Sequence, residues 1–453
     1  MLVAAGKLTL MPGIRAASAL VVAVSACDLG SVGAFDATEG DAGSTSAPGA
    51  TTGRDDDTGS TRAGTEPDVV STTTGPPETT RDRSSSGSTD PGLGTSTTGA
   101  RACPNGTELE NTNGVCVSDP EIIDPTPAYD IAIFGGLAVA TDDGVAQYRF
   151  EAGELQLANV LELPAAVHEL RVVSFFQVEN GKREVRRHLL ASIPDADRLA
   201  FIGTDGNGDL SVQSLFATGA RPMGLGFFFL TEDMTCVTVN EADGTLSLFT
   251  QVGLDAMVPA GTWTIGGTPR SITRTDAFGH PTVLDVASGT LTRLELGPTS
   301  DGPGLVASQT YPAPAGTVWA DLFFSDTDSW VGALSRTGNT LTLVNPDDGA
   351  EVVTQVFVGG PTDVVVAMEL DWPDGALDST LFWTGLVLQT DASMITVGMH
   401  GDGRGGPEFE PRLGSFSTAE QPVALAHYDA NGDGRRDFVT ASPLSGLGVV
   451  YIQ

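Results

Sequence analysis

Short β-hairpins recur along the last two thirds of this 453-residue sequence, their turns roughly 45 to 55 residues apart. In each, an apolar run meets a small or acidic turn and a second run follows. They span Leu137 to Tyr148, Leu189 to Ile202, Val237 to Phe249, Val283 to Leu296, Val331 to Val344, Leu386 to Val397 and Phe438 to Ile452. No sustained apolar pattern at helical spacing with caps interrupts them. A small turn with proline precedes several, as at Gly219-Ala220-Arg221-Pro222, Gly266-Gly267-Thr268-Pro269, Gly359-Gly360-Pro361 and Glu420-Gln421-Pro422. Sheets of this size bury their faces only against neighbouring sheets, so the series has to close on itself.

The last unit carries the most specific chemistry. Its strand Val423 to Tyr428 leads into Asp429-Ala430-Asn431-Gly432-Asp433-Gly434-Arg435-Arg436-Asp437, with oxygen-bearing side chains at positions 1, 3, 5 and 9. That spacing suits a hard cation such as Ca²⁺, held by Asp429, Asn431, Asp433 and Asp437 and by the Arg435 carbonyl. Position 12 is Thr440 and both flanks read as strands, which excludes an EF-hand. The order x-Pro, strand, D-x-N-x-D-G-x-x-D, strand, glycine turn and strand resembles the FG-GAP/VCBS repeat. The resemblance implies an integrin-α-like β-propeller with a structural calcium in the loop joining the first two strands of a blade.

Worn versions of that loop stand at Glu179 to Lys182, Asp276 to Gly279, Asp326 to Asp328 and Asp371 to Asp378. Residues 119–453 are therefore expected to form an all-β, seven-bladed propeller, with six or eight blades open because the first unit, Asp130 to about Leu163, has no such loop. The chain ends on Val449-Val450-Tyr451-Ile452 without a fourth strand after it, so a segment near Glu121-Ile122-Ile123 or Asp130-Ile131-Ala132-Ile133 is expected to complete the last blade.

The amino-terminal part is of another kind. Residues 1–26 have basic Lys7 and Arg15 and an apolar run from Ala16 to Ala26, the length of a signal-peptide core and too short to span a bilayer. Met11 could serve as the start equally well. The run ends in Val24-Ser25-Ala26-Cys27, which resembles a bacterial lipobox and implies a lipid on Cys27; ordinary cleavage beside an incidental cysteine is the alternative. Residues 27–101 are rich in Thr, Ser, Gly and Pro and have too few large apolar side chains to offset the entropy of ordering, so a disordered tether is expected. Asp28 resembles an inner-membrane retention signal in some bacteria, so the membrane stays open between that and the outer membrane or cell surface. In 102–118, Cys103 and Cys116 bracket a short polar loop and read as one disulfide of an exported protein, while Cys236 reads as a buried core thiol.

The formal charge is −35. From Asp28 to Arg101 there are 12 acids against 5 bases, and the signal segment adds two bases, so the remainder carries −30. That charge excludes nucleic acid and anionic lipid surfaces as general partners. Asp205, Asn207 and Asp209 repeat only positions 1, 3 and 5 and read as a turn or a weak second cation site. Gly401 to Gly406 fits G-x-G-x-x-G by letter but precedes no helix, and neither H-E-x-x-H nor G-x-S-x-G occurs. His168, His188, His280, His400 and His427 are scattered, and Lys182, Arg183, Arg186 and Arg187 form a basic run that reads as a solvated face. The expectation is a lipid-anchored binding or scaffolding module at the bacterial cell envelope, taking a protein or glycan ligand, in an oligomeric state the sequence leaves open. The alternative is a hydrolase or lyase using the central funnel.

Overall fold

The structure is a computed structural model that describes residues 107–108, 116–179, 182–229, 234–273, 280–299, 302–324, 329–367, 383–400 and 409–453. Seven four-stranded antiparallel sheets account for nearly all of them. The only helical turn among the described residues is Pro194–Ala196, inside a hairpin of the second sheet.

The first strands of the seven sheets are Asp130–Ile133, Glu169–Glu179, Pro222–Phe229, Pro269–Ile272, Thr317–Phe324, Pro361–Ala367 and Ala424–Tyr428. Each lies close to the first strand of the sheet before and after it, and that of the seventh sheet returns to that of the first. They therefore line the axis of a closed ring. The chain is a seven-bladed β-propeller. Blades 1 to 7 are numbered here from Asp130.

The recurrent hairpins of the sequence are the second and third strands of the blades. Sandwiched between inner and outer strands and between adjacent blades, they are buried on both faces: Leu137–Thr141, Met234–Asn240 and Asp437–Ser442 have no exposed residue. This is why they read as continuous apolar and small runs. Outer strands such as Glu154–Glu162 and Glu351–Val356 alternate between exposed and partly covered positions. Most of the core lies between blades: Val139 and Leu137 of blade 1 pack on Val439 and Val449 of blade 7, and Phe175 and Phe201 of blade 2 on Phe227 and Phe249 of blade 3.

The prolines before the inner strands mark bulges. Register shifts fall between Pro222 and Gly224, Pro269 and Ser271, Pro361 and Asp363, and at the matching Thr317 and Trp319. Proline has no N–H to give the ladder, and a bulge is where that loss costs least.

Blade 7 takes its fourth strand from the other end of the chain. Glu121–Asp124 pairs antiparallel with Gly446–Val450, Glu121 opposite Val449 and Ile122 opposite Gly448. Of the two segments expected to close the ring, the first does so and the second begins blade 1. The seam continues beside it: Thr107–Glu108 pairs with Cys116–Val117, and Val117 bridges to Ile452. Blade 1 lacks a cation loop because its first two strands are joined by Phe134-Gly135-Gly136 alone, where Phe134 N donates to the Gly136 carbonyl at 2.9 Å. Gly136 has φ +112°, and a Cβ there would come within 2.3 Å of the Tyr148 carbonyl oxygen.

The signal segment, Cys27, the tether, Cys103 and residues 401–406 lie outside the described residues, as do the worn loops at Asp276, Asp326 and Asp371. Cys116 is buried; the expected pairing with Cys103 stays a proposal. Cys236 is a fully buried core thiol whose pKa burial pushes up to about 12.

Candidate functional site

The Asp429 loop joins the first two strands of blade 7 through chained hydrogen bonds. Asp429 accepts from Gly432 N at 2.7 Å and Gly434 N at 3.1 Å, Asn431 from Asp433 N at 2.9 Å, and Asp433 from Arg435 N at 2.8 Å. Asp437 differs from the rest. It is fully buried, with one carboxylate oxygen accepting from Ala430 N at 3.0 Å and the other from Ile452 N at 2.9 Å. Burial, with help from Asp433 and Asp429, pushes its pKa up to about 6. The hard oxygen donors fit Ca²⁺ in chemical type, with Asp429, Asn431 and Asp433 toward solvent and Asp437 holding the last strand. Among the described residues, no three His, Cys, Asp or Glu side chains are grouped so as to hold a metal ion as they stand.

The Asp205 turn has a different occupant. Asp205 accepts from Asn207 N at 2.8 Å and Asp209 N at 3.0 Å, and the Asp209 carboxylate meets the Arg149 guanidinium of blade 1 at 2.9 Å. Arg149 also donates to the Gly208 carbonyl. An arginine thus supplies the positive charge here, and the turn ties blade 2 to blade 1.

The axis gathers charge that the sequence scatters. Asp130 accepts from Leu170 N of the next blade at 2.6 Å, Glu169 from Leu225 N at 3.1 Å, and Asp363 from Leu425 N at 3.0 Å; Ser271 does the same for Ala320 N at 3.1 Å. Side-chain oxygens of the inner strands therefore lace one blade to the next. Arg171 reaches from blade 2 to Glu169 at 2.8 Å and to Asp321 of blade 5 at 3.4 Å. The Arg171, Glu169 and Asp321 side chains are only 15, 18 and 13% exposed. Burial, with Glu169 and Asp363 nearby, pushes the Asp130 pKa up to about 8, and burial also raises that of Glu169. Burial works against the charge on Arg171, but Asp321 and Glu169 outweigh it and hold the guanidinium charged.

Where the inner strands of blades 2 to 4 begin, an end of the ring termed the mouth, stand His168, Arg221 and Arg270, with Glu241 in the hairpin turn of blade 3. Arg221 and Arg270 reach the two oxygens of Glu241 at 3.3 and 3.1 Å, their side chains 57 and 42% exposed against 9% for Glu241. Burial, and then Arg270, hold the exposed-edge imidazole of His168 below its usual pKa. The other histidines with described side chains are elsewhere: His188 has Nε2 2.6 Å from the Leu254 carbonyl, His280 meets Arg293, and His427 lies against Phe438. Lys182, Arg183, Arg186 and Arg187 are exposed on the long hairpin of blade 2; Arg186 pairs with Asp255, and Arg183 lies over the Phe176 ring at 5.0 Å.

Sequence reading missed the axis and its mouth. One signal was available: Glu169 and Arg171 open an inner strand just after His168, and Arg221 and Arg270 flank the prolines of two others. Superposing the starts of the repeats would have placed them together.

No family model matches the sequence, and no curated protein does. Among solved structures, virginiamycin B lyase from Staphylococcus aureus matches at 11% identity and TM-score 0.46, over 75% of this chain and 100% of that one. A protein from Lactobacillus plantarum matches at 13% identity and TM-score 0.46, over 66% of this chain and 86% of that one. At these scores the likeness adds nothing to the strand order, from which the fold is read.

Proposed function

We propose that this chain is an exported, lipid-anchored β-propeller acting as a binding or scaffolding module at the bacterial cell envelope, with its ligand met at the mouth of the axis. One observation carries the choice of place. The axial acids Asp130, Glu169 and Asp363 spend oxygens on backbone N–H groups of the next blade, whereas Arg221 and Arg270 keep half-exposed guanidiniums at the rim. The charge beneath holds the ring, and the charge above is free for recognition. The Val24-Ser25-Ala26-Cys27 run supports the anchor, and the Asp429 loop supports a structural Ca²⁺.

The test is mild detergent extraction of cells producing the chain, followed by fractionation. A partner should co-purify with the wild-type protein and be lost with Arg221→Gln plus Arg270→Gln, while Cys27→Ser should move the protein out of the membrane fraction. A partner retained by the double variant would remove the mouth from the reading.

A second reading, a hydrolase or lyase, is favoured by one arrangement. His168, its pKa held down by burial and Arg270, stands beside a carboxylate and two arginines, a group able to move a proton while charge is stabilised. Turnover of a carboxylate or phosphate ester that His168→Asn abolishes without loss of binding would establish it over the first.

A further inference from the structure

The mouth gathers arginine in a chain of formal charge −35. Two arginines share Glu241 there, with Asp197 beside the Arg221 backbone. Neutralising buried Glu241 would take one arginine; the second is surplus to that need. A guanidinium carries five N–H donors in a planar fork; Arg270 gives one Nη1 hydrogen to Glu241, and Arg221 comes within 3.3 Å of the other oxygen without hydrogen-bonding to it. Most of both forks faces solvent.

The pair is also held in place. Arg221 has φ +58°, a left-handed backbone that is costly for a non-glycine residue. Its N–H donates to Asp197 at 2.8 Å, and its carbonyl accepts from Glu241 N at 2.9 Å. Glu241 then fixes the guanidinium against that of Arg270, which comes from the inner strand of blade 4. Two forks from different blades are thus set side by side before any ligand arrives, which lowers the entropy cost of binding.

We propose that the mouth binds a small oxyanion, a carboxylate or phosphate group, held between Arg221 and Arg270 with the His168 imidazole alongside. The proposal rests on the reading of the ring as a binding module and names the chemistry of its ligand. Arginine forks match the paired oxygens of either anion. The acids beneath, Asp130, Glu169, Asp321 and Asp363, are already held by backbone N–H groups and Arg171, so the group is stopped at the rim and the rest of the ligand is left outside the ring. A metal cation is disfavoured by the same two guanidiniums.

The experiment is calorimetric titration of the full chain with inorganic phosphate and, separately, with citrate, at constant ionic strength and against a chloride blank. Saturable binding of at least one anion is expected, weakened about tenfold or more in Arg270→Gln and in Arg221→Gln, the usual effect of losing a charged hydrogen bond. Arg186→Gln, on the blade 2 hairpin, should bind as the wild type does. Binding of citrate alone assigns a carboxylate, and of phosphate alone a phosphate. Arg270→Lys, which keeps the charge and loses the fork, should fall between wild type and Arg270→Gln, and it serves if the glutamine variants melt early. No saturable heat with either anion, or equal weakening in Arg186→Gln, overturns the oxyanion site. Continued loss of the envelope partner in the double arginine variant would then show that the binding-module reading survives without it.

Discussion

At the scale of single residues, the axial carboxylates set how the protein responds to pH. Asp130 has a folded-state pKa near 8 against 3.8 for the free group. Its contribution to stability is complete below the lower value and is lost as pH rises through the higher. Glu169 and Asp437 are raised too and act in the same direction, whereas Asp124, Asp285 and Asp391 are lowered and matter only in acid. The melting midpoint is therefore expected to fall as pH rises from about 4 to about 8, and Asp130→Asn should flatten that fall. An undiminished slope in the variant would move the effect elsewhere. The Asp429 loop gives a second residue-level test. If Ca²⁺ binds only the folded loop, a concentration a hundred times its dissociation constant stabilises by about 2.7 kcal/mol. Millimolar calcium should raise the midpoint over that in EDTA, and Asp433→Ala should abolish the rise; equal midpoints for wild type would reduce the loop to an acidic turn.

At the scale of strands, what the sequence revealed followed burial. Second and third strands such as Met234–Asn240 are covered on both faces and stood out as apolar runs. Three inner strands announced themselves by the proline at their bulge, Pro222, Pro269 and Pro361. Outer strands such as Met257–Thr264, exposed over most of their length, gave no periodic signal. The mouth was harder to read for another reason: His168, Arg221, Glu241 and Arg270 belong to three consecutive blades, and only superposing the repeats brings them together. Charge around the Asp205 turn was legible but its counter-ion was not, because Arg149 comes from a different blade. The closing seam is where strand-level energetics can be checked. Ile452 is 1% exposed, bridges to Val117 and donates its N–H to Asp437. Ile452→Ala should cost about 2–5 kcal/mol in urea unfolding. Leu444→Ala, at a side chain 60% exposed, should stay within about 0.5 kcal/mol. Deleting Gly448 to Gln453 should destabilise the whole ring, and an unchanged midpoint would mean that blade 7 contributes little to closure.

At the scale of the whole molecule, the ring is held at its rim by the seam and at its centre by Arg171. That side chain meets Glu169 of its own blade and Asp321 of blade 5, with Asp130 close enough to help keep it charged. Replacing it leaves several low-exposure carboxylates without their cation. Arg171→Met should therefore lower stability by about 3–5 kcal/mol, the range for breaking a buried pair from one side. Chemical denaturation measures it, and a loss under about 1 kcal/mol would mean that water entering the axis screens these charges.

The pairing of Glu121 with Val449 also sets a clock. Protein synthesis delivers about 5–20 residues per second, so the strand at Glu121–Asp124 emerges tens of seconds before its partner exists. By the end of that interval six blades can be present with no ring to hold them, and their unpaired flanks are open to chaperones, proteases or a translocation machine. A chain that must be threaded before it folds has, in this seam, a delay written into its topology.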